Sequence, residues 1–147
     1  MMRSLLAFSI LIFFLVQVSI AQTNDTPPYK YDEKKVVTTQ SGLKYVVVEE
    51  GKGPVAKAGE LITAHYHGLL ADGTKFDSSF ERGQPFSTQI GVGRVIQGWD
   101  EAFTTLKEGT KAVLIIPANL GYGARDMGTI PPNSTLYFHV HLIKVGQ

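Results

Sequence analysis

The side chains that could do chemistry in this 147-residue chain are few, and one acidic residue stands among aromatics. Asp77 lies between Phe76 and a pair of serines. The chain has no cysteine, which excludes thiol catalysis, disulfides and cysteine-ligated zinc. The Gly-X-Gly strings at 91–93 and 121–123 lack the spacing and the following helix of a nucleotide-binding fingerprint. Neither a carboxylate pair nor a serine–histidine–aspartate arrangement stands out, so acid–base and nucleophilic catalysis are not predicted.

Aromatic and branched apolar residues are the more informative group. Core packing accounts for any one of them, but several lie in Gly/Pro-rich loops, and loops run over the surface. Apolar residues carried by loops beside a sheet predict an apolar ligand pocket. The set comprises Tyr66, Phe76, Phe86, Val95, Ile96, Trp99, Tyr122, Ile130 and Phe138.

The elements that must position these residues are mostly strands. Alternating and Val-rich patterns predict strands at 43–50, 60–70, 75–78, 111–116 and 136–145, with a further piece at 84–89. Trp99, Ala102, Phe103 and Leu106 fall on one helical face, which predicts a helix over 99–107 that stops before Gly109. The predicted fold class is therefore α+β, with about five antiparallel strands wrapped around one short helix.

The N-terminus has the pattern of a secretory signal peptide. Arg3 precedes an apolar run over 5–16, and Ser19 and Ala21 fit a cleavage site after Ala21. An uncleaved membrane anchor is the alternative, since the run approaches the minimum length for a span. We predict a signal peptide at 1–21, a flexible polar tether at 22–38, one domain at 39–147, and a periplasmic or secreted location.

Six strings carry a resemblance to a known family: SGLKY at 41–45, AHYHG at 64–68, DGTKFDSS at 72–79, VIQGW at 95–99, LGYG at 120–123 and IPPNSTL at 130–136. In these strings and their order, residues 39–145 resemble the FKBP-type peptidyl-prolyl cis-trans isomerases, the immunophilin family that binds tacrolimus and rapamycin. The leader and the 42–45 string suggest the small secreted bacterial branch of that family.

The resemblance implies a proline-binding pocket and a role for each matched residue. Trp99 would lie under the prolyl ring, and Phe76 and Phe138 would form the walls. The Ile96 N–H and the Tyr122 hydroxyl would hold substrate carbonyls. The implied catalytic residues are Tyr66, Asp77, Tyr122 and Phe138, and the implied substrate-binding residues are Phe76, Phe86, Val95, Ile96, Trp99, Ile130 and Arg82.

Two features of this implied site stay open at the level of sequence. Arg82 matches a loop arginine that can pair with Asp77, so Asp77 either shapes the field around the rotating amide or makes an ordinary ion pair. The loop 124–129 is one residue shorter than in many members of the family, with Asp126-Met127 where histidine and proline are common. This departure concerns the outer rim and the sequence preference of the pocket.

The resemblance implies an isomerase acting on X-Pro bonds of exported polypeptides, with no cofactor, metal or covalent intermediate. Proline-containing polypeptides and macrolides of the rapamycin and tacrolimus type are the expected partners. With 14 Lys+Arg against 13 Asp+Glu, the chain has no electrostatic footprint for nucleic acid or for an anionic membrane. We expect a monomer, with no membrane contact after leader cleavage. A module of the same fold that binds proline without turnover is the alternative.

All four histidines fall on two predicted strands, as His65 and His67 on one and His139 and His141 on the other. If Tyr66 and Phe138 point inward, the four imidazoles point outward, because residues two apart on a strand share a face. The resemblance makes the two strands antiparallel neighbours. We interpret the four as solvated residues in one exposed patch; a site for zinc, copper or nickel, or a pH-responsive group, is the alternative.

Overall fold

The computed structural model describes residues 25–147, within which lie seven strands and two α-helices. The predicted signal peptide, residues 1–21, lies outside the described residues. Helix α1 spans Ser79–Arg82 and helix α2 spans Gln97–Phe103, and 3-10 turns lie at Glu33–Lys35 and Ala118–Leu120. The strands are β1 Val37–Thr38, β2 Lys44–Glu49, β3 Leu61–Leu70, β4 Lys75–Ser78, β5 Phe86–Gln89, β6 Lys111–Ile116 and β7 Leu136–Val145.

The strands form one antiparallel sheet in the order β1-β2-β6-β7-β3-β4, and β5 also pairs with β3. This confirms the α+β fold class. The sheet has seven strands where about five were predicted. Helix α1 and the left-handed turn at Gly83 separate β5 from β4, so β5 pairs with β3 as a strand of its own. Strand β1 comes from the segment predicted to be tether and pairs with the start of β2.

Helix α2 begins at Gln97 and ends at Phe103, so it starts earlier and stops sooner than the predicted helix over 99–107. Two threonines end it. The hydroxyls of Thr104 and Thr105 donate to the carbonyls of Asp100 and Glu101, at 2.8 and 2.6 Å. Such back-bonding competes with the backbone for carbonyls that would otherwise accept helical N–H groups. Leu106 still reaches the core, at 5 % exposure, from the turn that follows.

The core lies between the inner face of the sheet and α2. Successive side chains of β3 and β7 point to opposite faces of the sheet, as they do in any β-strand. Their inward-facing residues are buried against Trp99, Ala102 and Phe103 of α2. These residues are Ile62, Ala64 and Tyr66 on β3 and Leu136, Phe138, Val140 and Leu142 on β7.

The outer face of the sheet is partly covered by the N-terminal segment that the sequence assigns to a tether. Tyr29 is 3 % exposed and packs with Val46 and Val113. Its backbone N–H donates to Nδ1 of His139 at 2.9 Å, and its ring meets the imidazole edge-on at a centroid distance of 5.7 Å. The segment therefore makes a specific contact with the middle of β7.

The four histidines do share the outer face, but the prediction of an exposed patch is wrong. His65 pairs with His141 and His67 with His139 across β3 and β7. His139 is only 4 % exposed, because Tyr29 lies over it. His65 and His67 bond through Nδ1 to the hydroxyls of Ser79 and Ser78, at 2.9 and 3.0 Å. Within residues 25–147, no group of three or more His, Cys, Asp or Glu side chains is placed to hold a metal ion.

The covered position of His139 predicts a stability loss at mildly acidic pH. Burial, and secondarily the neighbouring His67, lowers the pKa of His139 from 6.5 to about 4. Between these values the unfolded chain takes up a proton that the folded protein refuses, so the free energy of unfolding falls as the pH falls from 6.5 toward 4. Protonation of Nδ1 also removes the acceptor for the Tyr29 N–H.

Thermal unfolding between pH 7.5 and 4.5 measures this effect. We expect the Tm of the wild type to fall more steeply across this range than that of His139→Asn, whose amide has no proton to gain. The pKa values of His65, His67 and His141 are also lowered by burial, so both proteins should lose some stability. Parallel curves for the two proteins would contradict the assignment to His139.

Candidate active site

A cavity of about 650 Å³ opens beside helix α2, and aromatic and polar side chains share its wall. Such a size suits a ligand of a few residues or a drug-sized molecule. Its lining comes from β3, β4, β5, β7, α2 and the loops before α2 and after β6. The lining residues are Tyr66, Phe76, Asp77, Phe86, Gly93, Arg94, Val95, Ile96, Gln97, Trp99, Asn119, Gly121, Tyr122, Arg125 and Phe138.

Trp99 is the centre of the aromatic set in this wall. Its ring meets those of Tyr66 and Phe138 edge-on, each at a centroid distance of 5.3 Å. Phe76 meets Phe138 in the same way at 5.4 Å. Perpendicular aromatic pairs add about 0.5–1.5 kcal/mol each beyond the burial of their area. The interlocked rings therefore give the cavity a fixed shape.

Two glycines let the aromatic set close up. A Cβ on Gly68 of β3 would lie 2.5 Å from the Phe76 ring, so only glycine admits that ring against the strand. A Cβ on Gly98 of α2 would lie 2.7 Å from Ile116 of β6. Glycine at this place brings the helix, and with it Trp99, directly onto the sheet.

Asp77 lies at the edge of the cavity in a network with Tyr66 and Arg82. Its carboxylate accepts from the Tyr66 hydroxyl and from the Arg82 guanidinium, and Arg82 also donates to the Tyr66 oxygen at 2.9 Å. Helix α1 aims Arg82 back at this point, with Ser78 as its N-cap and left-handed Gly83 as its C-cap. The network fixes one negative charge beside the aromatic wall.

The protonation states of this network follow from its hydrogen bonds. Burial raises the pKa of the Asp77 carboxyl, but the donors Tyr66 and Arg82 outweigh it and hold that pKa below its usual value. Burial and donation to Asp77 raise the pKa of the Tyr66 phenol. At neutral pH Asp77 is thus an anion and Tyr66 a neutral donor.

The loop that carries Val95 and Ile96 is held by a carboxylate that the sequence analysis missed. The two oxygens of Asp100 accept the backbone N–H groups of Gly91 and Gly93, at 2.7 and 2.9 Å. Both glycines have positive φ, 75° and 76°, a conformation that non-glycine residues rarely adopt. An acidic residue in the first turn of a helix, just after a Gly-X-Gly loop, is the signal that could have revealed this clamp.

Nine of the eleven sequence-predicted site residues line the cavity. Arg82 does not line the cavity; it lies behind Asp77 and donates hydrogen bonds to Asp77 and Tyr66, which do line it. Ile130 is 6 % exposed and packs in the hydrophobic core, where it anchors the loop 124–129. A solitary isoleucine in a Gly/Pro loop therefore indicates an anchor as readily as a pocket residue. The lining residues that sequence reasoning missed are Gly93, Arg94, Gln97, Asn119, Gly121 and Arg125.

Residues 53–143 match the family model described as FKBP-type peptidyl-prolyl cis-trans isomerase. The chain belongs to this family. The resemblance found in the sequence, the fold class and the enzyme class are thereby confirmed.

Relatives and solved structures agree with this assignment to the FKBP family. An FK506-binding protein of Neisseria meningitidis serogroup A is 54 % identical over 99 residues, which cover 67 % of this chain and 91 % of that protein. The crystal structure of FkpA from Escherichia coli matches with a TM-score of 0.73 and 45 % identity over 78 % of this chain, though only 53 % of FkpA is covered. The crystal structure of AtFKBP13 matches with a TM-score of 0.72 and 40 % identity, covering 74 % of this chain and 97 % of that one.

The Asp100 clamp predicts that this carboxylate positions the Val95–Ile96 segment. In Asp100→Asn an NH₂ group, which cannot accept a hydrogen bond, replaces one carboxylate oxygen, so one of the two loop N–H groups loses its acceptor. A hydrogen bond to a charged group contributes about 1.5–3 kcal/mol. We expect isomerase kcat/KM on an X-Pro peptide to fall several-fold, with a rise in KM.

Glu101→Gln is the matched control, because the neighbouring Glu101 carboxylate accepts from the Ser41 hydroxyl instead of the loop. This variant should keep the wild-type kcat/KM. An equal fall in both variants would show that any charge lost from α2 has the same effect, and would exclude a specific clamp.

Proposed function

We propose that this FKBP-family protein binds the proline of a polypeptide in the aromatic cavity and accelerates rotation about the X-Pro bond, acting on exported proteins. The observation that carries the proposal is the aromatic wall around Trp99, whose ring meets Tyr66 and Phe138 edge-on, while Phe76 meets Phe138 edge-on. The cavity volume of about 650 Å³ leaves room for a prolyl ring and its neighbours.

The mechanism follows from the electronic structure of the amide. Resonance gives the C–N bond partial double-bond character and a rotation barrier of about 18–20 kcal/mol. Twisting the bond removes that resonance and makes the amide less polar than in its planar state. An apolar site that excludes water disfavours the planar dipole more than the twisted one, so it binds the transition state preferentially. Rotation breaks no covalent bond, so the reaction needs no nucleophile.

We infer the following roles from the positions of the lining residues. The rings of Trp99, Phe76 and Phe138 surround the prolyl ring. Ile96 is the N-cap of α2; its carbonyl accepts the N–H of Trp99, while its own N–H lies before the helical bonds and is available to a substrate carbonyl. The Tyr122 hydroxyl is a second donor at the cavity wall. Two donors that grip the flanking carbonyls hold the chain while the amide turns.

The fixed charge of Asp77 is proposed to act on the rotating carbonyl. Tyr66 and Arg82 anchor the carboxylate, so its field is already in place when the substrate binds. Preorganised charge of this kind costs no reorganisation during the reaction. The competing interpretation is that Asp77 and Arg82 form an ordinary ion pair at the surface.

Export is proposed from the leader. Residues 1–21 would direct secretion and be removed after Ala21, leaving a periplasmic or secreted isomerase whose domain covers 39–147. No helix within residues 25–147 is long and apolar enough to cross a membrane. The mass of the mature protein tests cleavage: a chain starting at Gln22 supports it, and an intact leader favours an uncleaved anchor.

An X-Pro tetrapeptide isomerisation assay with rapamycin as inhibitor tests the proposed function. We expect turnover, because the chain matches the FKBP-type isomerase family model, and inhibition, because the Neisseria relative is named for binding the macrolide FK506. Tyr122→Phe should weaken rapamycin binding by roughly 2- to 10-fold, since one hydrogen bond contributes about 0.5–1.5 kcal/mol. Its Tm should stay near that of the wild type. Rapamycin binding without turnover would favour the proline-binding module.

Asp77→Asn separates the two interpretations of the Asp77 network. The amide keeps an acceptor for the Tyr66 hydroxyl but removes the charge. If the charge acts on the substrate, kcat/KM should fall about tenfold, equivalent to about 1.4 kcal/mol in the barrier. The Tm should change little, because a half-exposed ion pair contributes about 0–1 kcal/mol.

Glu81→Gln is the control for this experiment. It removes the exposed ion pair between Glu81, on the helix that carries Arg82, and Lys75 of β4, and Glu81 does not line the cavity. It should leave kcat/KM unchanged. Unaltered kcat/KM in Asp77→Asn would assign the carboxylate to an ordinary surface ion pair.

A further inference from the structure

We propose that Arg94 and Arg125 make this pocket select X-Pro segments that carry acidic side chains close to the proline. The inference rests on the proposed function and adds a substrate class to it. Both arginines line the cavity, and both are exposed. They come from different loops, one before α2 and one after β6, so two cationic groups flank the mouth.

Arg94 is held in place by its neighbours along the chain. It lies between Gly93, whose N–H is bound by the Asp100 carboxylate, and the lining residue Val95. The clamp on the loop fixes where the arginine leaves the backbone. Among residues 25–147, Arg94 has no carboxylate partner within ion-pair distance. Its guanidinium is therefore able to bind a carboxylate of the substrate.

Contacts with Tyr122 orient the Arg125 side chain. Its Nε donates to the Tyr122 carbonyl at 3.4 Å, and its guanidinium carbon lies 5.9 Å from the centre of the Tyr122 ring. These contacts keep the side chain next to a ring that lines the cavity. No carboxylate in residues 25–147 forms an ion pair with Arg125 either.

The carboxylates around the mouth are committed to other partners. Arg94 also borders a second cavity with Glu60, whose carboxylate accepts the Lys57 N–H. Among residues 25–147, Asp77 is the only acidic residue that lines the cavity, and Arg82 is its ion-pair partner. Asp100 is committed to two loop N–H groups, and Asp126 lies outside the lining with one oxygen on the Gly128 N–H. The formal net charge of the whole chain is only +1, so this positive mouth is a local feature.

The expected preference is moderate and sensitive to salt. An exposed guanidinium–carboxylate pair changes a binding constant by roughly 1.5- to 5-fold. Exposed charges are screened over about 10 Å at 0.1 M salt and over much shorter distances near 1 M. Acidic substrates should therefore have a higher kcat/KM than matched neutral substrates at low ionic strength, and this difference should disappear at high ionic strength.

Paired peptide substrates test the proposal. All peptides share a Leu-Pro centre, and the two peptides of a pair differ only in having Glu or Gln at one position. Three pairs place this position two residues before the proline, one residue after it, or two residues after it. For the wild type at low ionic strength, the Glu/Gln ratio of kcat/KM should reach about 3 for at least one position, and it should approach 1 near 1 M salt. A ratio of 1 at every position and low salt overturns the proposal.

Variants locate the effect. Arg94→Gln and Arg125→Gln should each lower the Glu/Gln ratio, and the double variant should bring it to about 1 at low salt. Because the Glu/Gln ratio compares two peptides with the same variant, a change that affects turnover of both peptides equally leaves the ratio unchanged. Lys52→Gln is the control; it removes an exposed cation from the loop between β2 and β3, at a residue that does not line the cavity.

The outcomes separate this proposal from the proposed function. A ratio that persists in the double variant, or that falls equally in Lys52→Gln, overturns the assignment to Arg94 and Arg125. Wild-type turnover of the Gln peptides without a Glu preference overturns the acidic specificity alone. No turnover of any peptide defeats the isomerase function itself.

Discussion

The antiparallel register of β3 and β7 is the constraint on which the rest of the structure depends. Tyr66 faces Val140, and Gly68 faces Phe138 across this central pair. This register puts Tyr66 and Phe138 on the inner face at ring-contact distance, 6.1 Å between centroids, where Trp99 packs against both. Because side chains alternate along a strand, a slip of one residue would send these aromatics to the outer face. The pocket is therefore a consequence of strand pairing.

The same register decides the character of the opposite face. When Tyr66 and Phe138 point inward, His67 and His139 must lie side by side on the outside. A neutral imidazole there accepts the Tyr29 N–H, and the N-terminal segment closes over it. The domain thus has two apolar clusters on either side of one sheet, a large one that shapes the cavity and a small one that docks the segment preceding β1.

Local pattern was sufficient to predict every described strand except β1 and to single out the aromatic residues that line the cavity, because alternation and glycine spacing are properties of neighbouring residues. The roles assigned to these residues came from the family resemblance. Contacts between distant residues were not predictable in this way. Tyr29 and His139 are 110 positions apart, so nothing near either residue signals that one covers the other. The meeting of Arg94 and Arg125 at the mouth depends on how two loops fold back, which no periodicity encodes. Ile130, predicted as a pocket residue, is 6 % exposed and packs in the core cluster that also holds Trp99.

The two faces of the sheet respond to pH differently: the charged group of the pocket lies on one face, and the histidine that affects stability lies on the other. The pKa of Asp77 is held below its usual value by Tyr66 and Arg82, so the pocket keeps its charge throughout the mildly acidic range. His139, with its pKa near 4, refuses protons in that same range at a cost in folding free energy. Acid therefore weakens the fold through the outer face before it alters any group in the cavity. For an isomerase proposed to act outside the cytoplasm, we therefore expect loss of stability in acid to arise at the outer face, where His139 docks the N-terminal segment.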